Sequence, residues 1–428
     1  MRRYSAPNKP MSVNQPPSKT ESNRHARLAD FDGLRGELHI NGHGLTRLVE
    51  RVGSTPFYAY DRTALSARVL ALRTALPSQV KLHYAIKANP MPAVVQHMCP
   101  LVDGFDVASH REMLVALDSG MASREISMAG PAKQEPELRA ALAAGICINC
   151  ESSLELERIH TLAVALGVTP RVALRVNPDF ELKGAGMKMA GSPRQFGIDA
   201  AQIPKVLARM GELAIDCEGL HIFCGSQNLK SEAIIEANAR TLEYACALAA
   251  SSGLHFASLN IGGGYGIPYF PNEQPLDLSA VGDALGATLA RHAGALAGTE
   301  IIVELGRYLV GEAGYYVARV SDIKESQGQL FVMTDGGLHH HLSNSGNFGQ
   351  VLRKNYPVVI GNRLGEAATT VANIVGPLCT PLDIVAERIA LPSLSVGDLV
   401  VVMQSGAYGY TASPHLFLSH PLPREILV

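Results

Sequence analysis

Charge imbalance is the first thing this sequence lacks. Its 37 lysines and arginines nearly match its 39 aspartates and glutamates, a formal net charge of -2 over 428 residues. That balance offers no attraction for nucleic acid or an anionic membrane, so neither is expected as a partner. Long apolar runs are missing too: none approaches the roughly 20 residues that span a bilayer. The opening stretch MRRYSAPNKPMSVNQPPSKTESNRHAR has no apolar signal-peptide core. Its Pro, Ser and Asn content predicts an unstructured tail over 1–27 and a cytoplasmic protein. The seven cysteines are scattered and odd in number, which fits free thiols in a reducing compartment. Cys147 and Cys150 match Cys-x-x-Cys, but no second pair follows at metal-site spacing, so they read as core cysteines. There is no GxxxxGK[ST] stretch, which argues against a nucleoside triphosphate.

What is present is apolar bulk and rhythm. Hydrophobic residues make up 47% of the chain, enough for a large core. Eight apolar or β-branched runs each end in Gly, Ser, Asn, Pro or a charged residue: KLHYAIK, GFDVAS, EISMAG, ICINCES, PRVALRVNP, CEGLHIFCGS, FASLNIGGG and EIIVELGR. Between them lie amphipathic segments such as REMLVALDSG and EPELRAALAAG, with apolar residues three and four apart. Ser152 and Glu155 predict a capping box for the helix after the fourth run. Eight strand–helix units argue for a closed (β/α)8 barrel, placed over 55–307, with TPFYAYD leading the chain into it. After Arg307 the runs YYVARVSDI, QLFVMTD, YPVVIG, TTVANIVG, DLVVVMQSG and PREILV predict a second, β-rich domain over 308–428, a sandwich or small barrel. Segment 28–54 is expected to pack with it.

In such a barrel the chemistry sits at the C-terminal ends of the strands. Polar residues collect at those ends: Lys87, Ser109, Asn177, His221, Ser226, Gly262, Gly263 and Gly264, Glu304 and Arg307. LHYAIKANP ends a buried-looking strand in a lysine, an odd place for a charge unless it does chemistry. NIGGGYG offers backbone N–H groups unobstructed by side chains, suited to a phosphate, although a tight turn reads the same way. A lysine amine, a phosphate nest and a carboxylate together suit pyridoxal 5'-phosphate. The lysine condenses with the aldehyde, and the carboxylate pairs with the pyridine nitrogen. His339, His340 and His341 are consecutive. In a strand, neighbours point to opposite faces, so the three cannot all reach one ion, and at most one or two would line the active site. Lys183, Lys188 and Arg194 read as a solvated loop.

The ordered motifs LHYAIKAN, GFDVAS, HIFCGSQ, NIGGGYG, ELGRYLV, GPLCTPLD and SGAYG resemble the fold-type III pyridoxal phosphate-dependent decarboxylases. These are the relatives of diaminopimelate, ornithine and arginine decarboxylase that share a barrel with alanine racemase. The resemblance runs from about Thr55 to the C-terminus. MKMAGSPRQFG, GSQNL, DGGLHHH and GPLCTP are similar to a narrower branch: the exosortase A system-associated decarboxylases and the butirosin-pathway enzyme acting on carrier-bound glutamate.

The resemblance implies roles. Lys87 carries the cofactor, His221 stacks on its ring, and Glu304 faces the ring nitrogen. Ser226, Gly262, Gly263, Gly264 and Tyr408 bind the phosphate, with Arg307 near the phosphate or substrate carboxylate. Cys379, Thr380 and Asp383 meet the substrate across a homodimer interface, Cys379 returning a proton to the product carbon. Diaminopimelate decarboxylases carry Cys-Glu-Ser where this chain has Cys379-Thr380-Pro381, and Tyr-Asn where it has Phe417-Leu418. Ornithine decarboxylases carry Asp at the position of Thr380. Losing that carboxylate weakens the case for a free diamino acid, because a buried ammonium without a partner is costly. The implied substrate is an amino acid, free or bound to a carrier protein. Although basic loops are usually solvated, Lys183, Lys188, Arg353 and Lys354 are the residues that would contact an acidic or phosphopantetheine-bearing partner. Diaminopimelate decarboxylation, racemisation and a silent cofactor-binding homologue stay open as alternatives. Glu304 argues against racemisation, since racemases of this fold place arginine at the ring nitrogen.

Overall fold

The computed structural model describes residues 25–31, 33–181, 184, 186–347 and 353–428. The expected tail therefore lies outside the described residues except for its last three. The chain forms a parallel barrel and a β domain. Strand β1 (Phe57–Tyr60) precedes the barrel. Its staves are β2 (Val80–Ala85), β3 (Gly104–Val107), β4 (Ile126–Met128), β5 (Cys147–Cys150), β6 (Arg171–Asn177), β7 (Cys217–His221), β8 (Ser258–Gly263) and β9 (Glu300–Leu305). Each pairs in parallel with the next, and β9 closes onto β2. All eight apolar runs are staves. Nearly every stave residue is buried, which is why these stretches read as continuous apolar runs rather than alternating ones.

The helices between staves show how local sequence sets their ends. Asp61 caps Arg62–Ala75 by accepting from Ala64 N at 3.0 Å, and Leu65, Val69 and Leu72 bury one face of that helix. Each such side chain contributes about 1.5–3 kcal/mol on burial. Ser152 caps Ser153–Leu166 through Glu155 N at 3.1 Å, but the other half of the expected capping box does not form. The Glu155 carboxylate instead accepts from Lys133 Nζ at 2.8 Å and Glu151 N at 3.2 Å. A buried lysine is a stronger claimant than an amide that water can reach.

The β domain contains β10 (Gly314–Ser326), β11 (Gln329–Thr334), β12 (Val358–Ile360), β13 (Thr370–Val375), β14 (Ile384–Leu391), β15 (Leu399–Val402) and β16 (Arg424–Leu427). Its order is β12-β15-β10-β11-β13-β14, with β1 between β10 and β16. TPFYAYD thus supplies a strand of the β domain rather than a lead into the barrel. Its four strand residues are buried and pair with Gly314–Val317. Leu38, Ile40, Leu45, Leu48 and Val49 share a core cluster with Phe57, Val317 and Val401. Strand β14 had no counterpart in the expected runs: Glu387 and Arg388 interrupt its apolar pattern.

Candidate active site

The β2 stave ends at Ala85, and Lys87 stands in a single 3-10 turn, Ile86–Ala88. The strand therefore stops two residues before the lysine, so the side chain leaves the sheet and enters the barrel mouth. Three contacts hold this turn. Tyr84 Oη donates to Asn89 O at 2.7 Å, Asn89 Nδ2 donates to Gly406 O at 3.0 Å, and Tyr408 N donates to Ala88 O at 2.9 Å. The last two come from the SGAYG loop, so the β domain locks the turn that carries the lysine.

Lys87 Nζ lies 3.3 Å from Glu304 Oε1. His221 Nε2 lies 2.8 Å from Glu304 Oε2, and Asn260 Nδ2 reaches the same oxygen at 3.5 Å. Burial pushes the Glu304 carboxyl upward, but the Lys87 charge and the His221 hydrogen bond outweigh it and hold the group well below the carboxylate range. Burial likewise works against the Lys87 ammonium, and Glu304 offsets it, leaving the amine above its ordinary value. The lysine side chain keeps 41% exposure while Glu304 keeps 3%, so the amine is reachable and its partner is not.

The surrounding pocket is lined by Phe223, Ser226, Gly264, Tyr265, Gly306, Arg307 and Tyr408. The Arg307 guanidinium donates to Tyr269 Oη at 3.0 Å and stacks 4.8 Å from the Tyr408 ring centroid. It has no carboxylate partner among the described residues, so it stands ready for an anion. Gly262 and Gly264 take φ of +69° and +74°, conformations that side chains resist. A Cβ on Gly262 would meet Ile222 O at 2.7 Å, and one on Gly263 would meet Glu304 O at 2.4 Å. The nest is thus not three free amides: Gly262 N donates to Asn260 Oδ1 at 2.8 Å, and Gly263 pairs in the sheet with Glu304. Of the three, Gly264 lines the pocket.

These residues fit pyridoxal phosphate. A reachable amine, an ionised buried carboxylate, a glycine cradle that a Cβ would fill and a lone guanidinium match its aldehyde, ring nitrogen and phosphate. His221 Nδ1 is buried with no partner.

The β-domain candidates sit elsewhere within this chain. Cys379 is exposed, and Thr380 lies beside it at the edge of a groove containing Phe331, Val375 and Pro381. Asp383 engages the backbone of its own domain. It is buried and accepts from Leu338 N at 2.5 Å and Leu378 N at 2.8 Å, so both oxygens fasten loops of its own domain. His339, His340 and His341 lie in a turn rather than a strand, which removes the alternation argument made for them. All three are buried; His340 bonds Pro421 O and His341 bonds Ser405 Oγ. Cys147 and Cys150 are buried in β5, and burial pushes the Cys150 thiol up to about 12. Arg353 is bound to Ser345 O and Asn355 Oδ1, Lys354 lies 5.4 Å from the Phe270 ring centroid, and Arg194 is exposed. Lys183 and the Lys188 side chain lie outside the described residues.

Arg175 and Glu151 went unnoticed in the sequence. Arg175 NH1 donates to Glu151 Oε1 at 2.7 Å, and Glu151 also accepts from Gly130 N and Gly197 N at 2.6 and 3.0 Å. One carboxylate therefore ties together three loops of the mouth. The signal was available: Arg175 interrupts an apolar run just as Lys87 does.

The family described as pyridoxal-dependent decarboxylase, pyridoxal binding domain, matches residues 62–311. The chain is 36% identical over 396 residues to an L-glutamyl-[BtrI acyl-carrier protein] decarboxylase from Niallia circulans, covering 91% of this chain and 92% of that protein. It is 31% identical over 396 residues to a diaminopimelate decarboxylase from Aquifex aeolicus, covering 92% and 91%. Among solved structures, diaminopimelate decarboxylase from M. jannaschii in complex with L-lysine superposes with a TM-score of 0.84 at 26% identity, over 92% of this chain and 91% of that one. The chain therefore belongs to the pyridoxal-dependent decarboxylases of fold type III, carboxy-lyases that act on amino acids.

Proposed function

We propose that this decarboxylase acts on an amino acid carried on a protein, a glutamyl-type group being the first candidate, rather than on a free diamino acid. One observation carries the reading. Among the described residues lining the pocket, Glu304 is the sole carboxylate, and Lys87 and His221 already engage it. No acidic side chain of this chain is left there for a distal ammonium, and Thr380 stands where diamino-acid enzymes place an acid. The similarity to a carrier-protein glutamyl decarboxylase supports the same choice.

The bound cofactor supplies a ring that accepts the electron pair left when the carboxylate departs as CO2. The residues of the chain take the following roles. Lys87 Nζ would hold the cofactor through its aldehyde. Glu304, kept ionised by its neighbours, would face the ring nitrogen and favour its protonated form. His221 fixes the Glu304 carboxylate and covers the ring. Ser226, Gly264 and Tyr408 would bound the phosphate site, with Gly262 and Gly263 shaping the turn behind it, and Arg307 would bind a phosphate or carboxylate oxygen. Cys379 Sγ delivers the proton to the product carbon, a step typically worth about 10^2–10^4-fold.

For Cys379 to reach a mouth it does not line, two copies must share their sites. The exposed Leu382, Leu416, Phe417 and Leu422 on the β domain support a homodimer. Seven free cysteines support a cytoplasmic setting. Among the described residues no helix is long and apolar enough to cross a membrane.

The test is CO2 release by the cofactor-loaded protein from glutamyl-carrier protein, free glutamate and free diamino acids, beside light scattering for mass. Release from the carrier-bound group at least about tenfold faster supports the reading. Preferential release from diaminopimelate overturns it.

A further inference from the structure

Barrels of this kind are ordinarily filled by layers of Val, Ile and Leu. Here the axis below Glu304 is polar. A cavity of about 50 Å3 there has His83, Asp106, Ser127, Asn149, Ser258 and Asn260 in its wall, beside Ile126, Ala173, Leu220 and Ile302. A buried water needs roughly 10–15 Å3 and two to four polar partners, so the space suits a few waters. At its lower end the walls are charged. Lys81 pairs with Glu300 at 2.7 Å and with Glu125 at 3.7 Å, and Arg171 pairs with Glu218 at 2.5 Å, all at the starts of staves.

His83 stands at the upper end. It is 5% exposed, and neither ring nitrogen has a hydrogen-bond partner in the protein. Nδ1 lies 3.4 Å from Asp106 Oδ2, an ion-pair distance. The other Asp106 oxygen accepts from Ser127 Oγ at 2.5 Å, and Asn149 Nδ2 reaches that hydroxyl at 3.0 Å. Register places His83 opposite Glu304 on adjacent staves, about 4.8 Å apart. A neutral imidazole left unbonded here would cost about 1–3 kcal/mol. An imidazolium beside Asp106 offsets its burial through that ion pair, with cavity water available to its N–H groups.

Resting on the reading of Glu304 given above, we propose that His83 is a positioning residue for Glu304. As an imidazolium paired with Asp106 in a hydrated cavity, it stabilises the Glu304 carboxylate from the side opposite the cofactor. The charges acting on it most are Asp106 from β3, Asp103 from the turn before β3, and Glu304 from β9, while Arg124, Glu125, Arg171, Glu218 and Glu300 line the far end of the cavity. The first three are acidic. Burial draws the imidazole down, but these carboxylates hold it above its ordinary value. As pH rises through that raised midpoint the cation is lost, and the Glu304 carboxylate loses that stabilisation.

The experiment is a pH titration of the cofactor absorbance in wild type, His83→Gln, His83→Phe and Asp106→Asn. The readout is spectral and does not require the substrate. Wild type is expected to show a step with its midpoint above the imidazole range. Both His83 variants are expected to lose it, and Asp106→Asn to lower the midpoint by roughly one unit or more. His83→Gln keeps the packing polar, so it reports even where Phe does not fit. A step that persists unchanged in His83→Gln overturns the proposal, as does a wild-type curve that is flat across that range. A wild type that forms no lysine-linked band at all would instead sink the reading of Lys87 and Glu304.

Discussion

The barrel mouth and the histidine turn of the β domain both bury titratable groups, and they do so in opposite ways. In the mouth, charge is retained by pairing: Lys87 with Glu304, Arg175 with Glu151, Lys133 with Glu155. In the turn, charge is given up. Burial drives His339 down to about 4 and His340 and His341 down to about 3, with neighbouring imidazoles adding to the fall at His339 and His340. A buried ion is tolerated only with a partner; without one, the group neutralises. The contrast teaches where to look for chemistry. The region that keeps its ions by pairing them is the one where the proposed chemistry is placed.

The largest effect expected is at the paired lysine. Lys87→Ala should abolish the borohydride-trappable adduct and lower decarboxylation by about 10^3-fold or more; a trapped adduct on another residue would break the contrast. Glu304→Gln should bind cofactor yet lose about 10^2–10^4-fold in kcat, with the lysine band titrating at lower pH because its counter-charge is gone. In the β domain the effects should be on stability. Asp383→Ala strands two buried amides and should cost about 2–4 kcal/mol in denaturant melts, while Cys379→Ser should lower kcat and leave the melt alone. Equal melts for the two would show that Asp383 is not a loop fastener.

Acid sharpens the comparison further. The folded-state values of the histidines lie below the unfolded value of about 6.5. Their contribution is therefore complete above that pH and lost as pH falls towards about 4 and then about 3. Glu304, held below the ordinary carboxylate range, gives stability that is complete above that range and lost progressively as pH falls through and below it. Calorimetric melting temperatures should fall from pH 6.5 downward, and His341→Gln should flatten that slope. Smallest of all, Arg194→Ala on its exposed loop should change stability by less than about 0.5 kcal/mol.

Much of this was legible in the sequence, for a definable reason. Staves buried on both faces are continuous apolar runs, so their number and order could be counted. A charge at the end of such a run stands out, as Lys87, Glu304 and Arg307 did. The β domain was less legible. The apolar pattern of β14 is broken by Glu387 and Arg388, and β1 has the same apolar character whether it joins a barrel or a sheet. The roles of Asp383 and Glu151 depend on which distant amides face them, and no local pattern encodes that.

The sequence alone determined the barrel and marked Lys87 and Glu304 as isolated charges at stave ends, because periodicity and isolated charges are properties of neighbours along the chain. Tertiary structure alone decided that Glu304 meets Lys87 and His221, that Asp383 is spent on its own loops, and that a polar cavity runs beneath the site. Those facts rest on contacts across tens to hundreds of residues, where burial and distance, not order, set the energy.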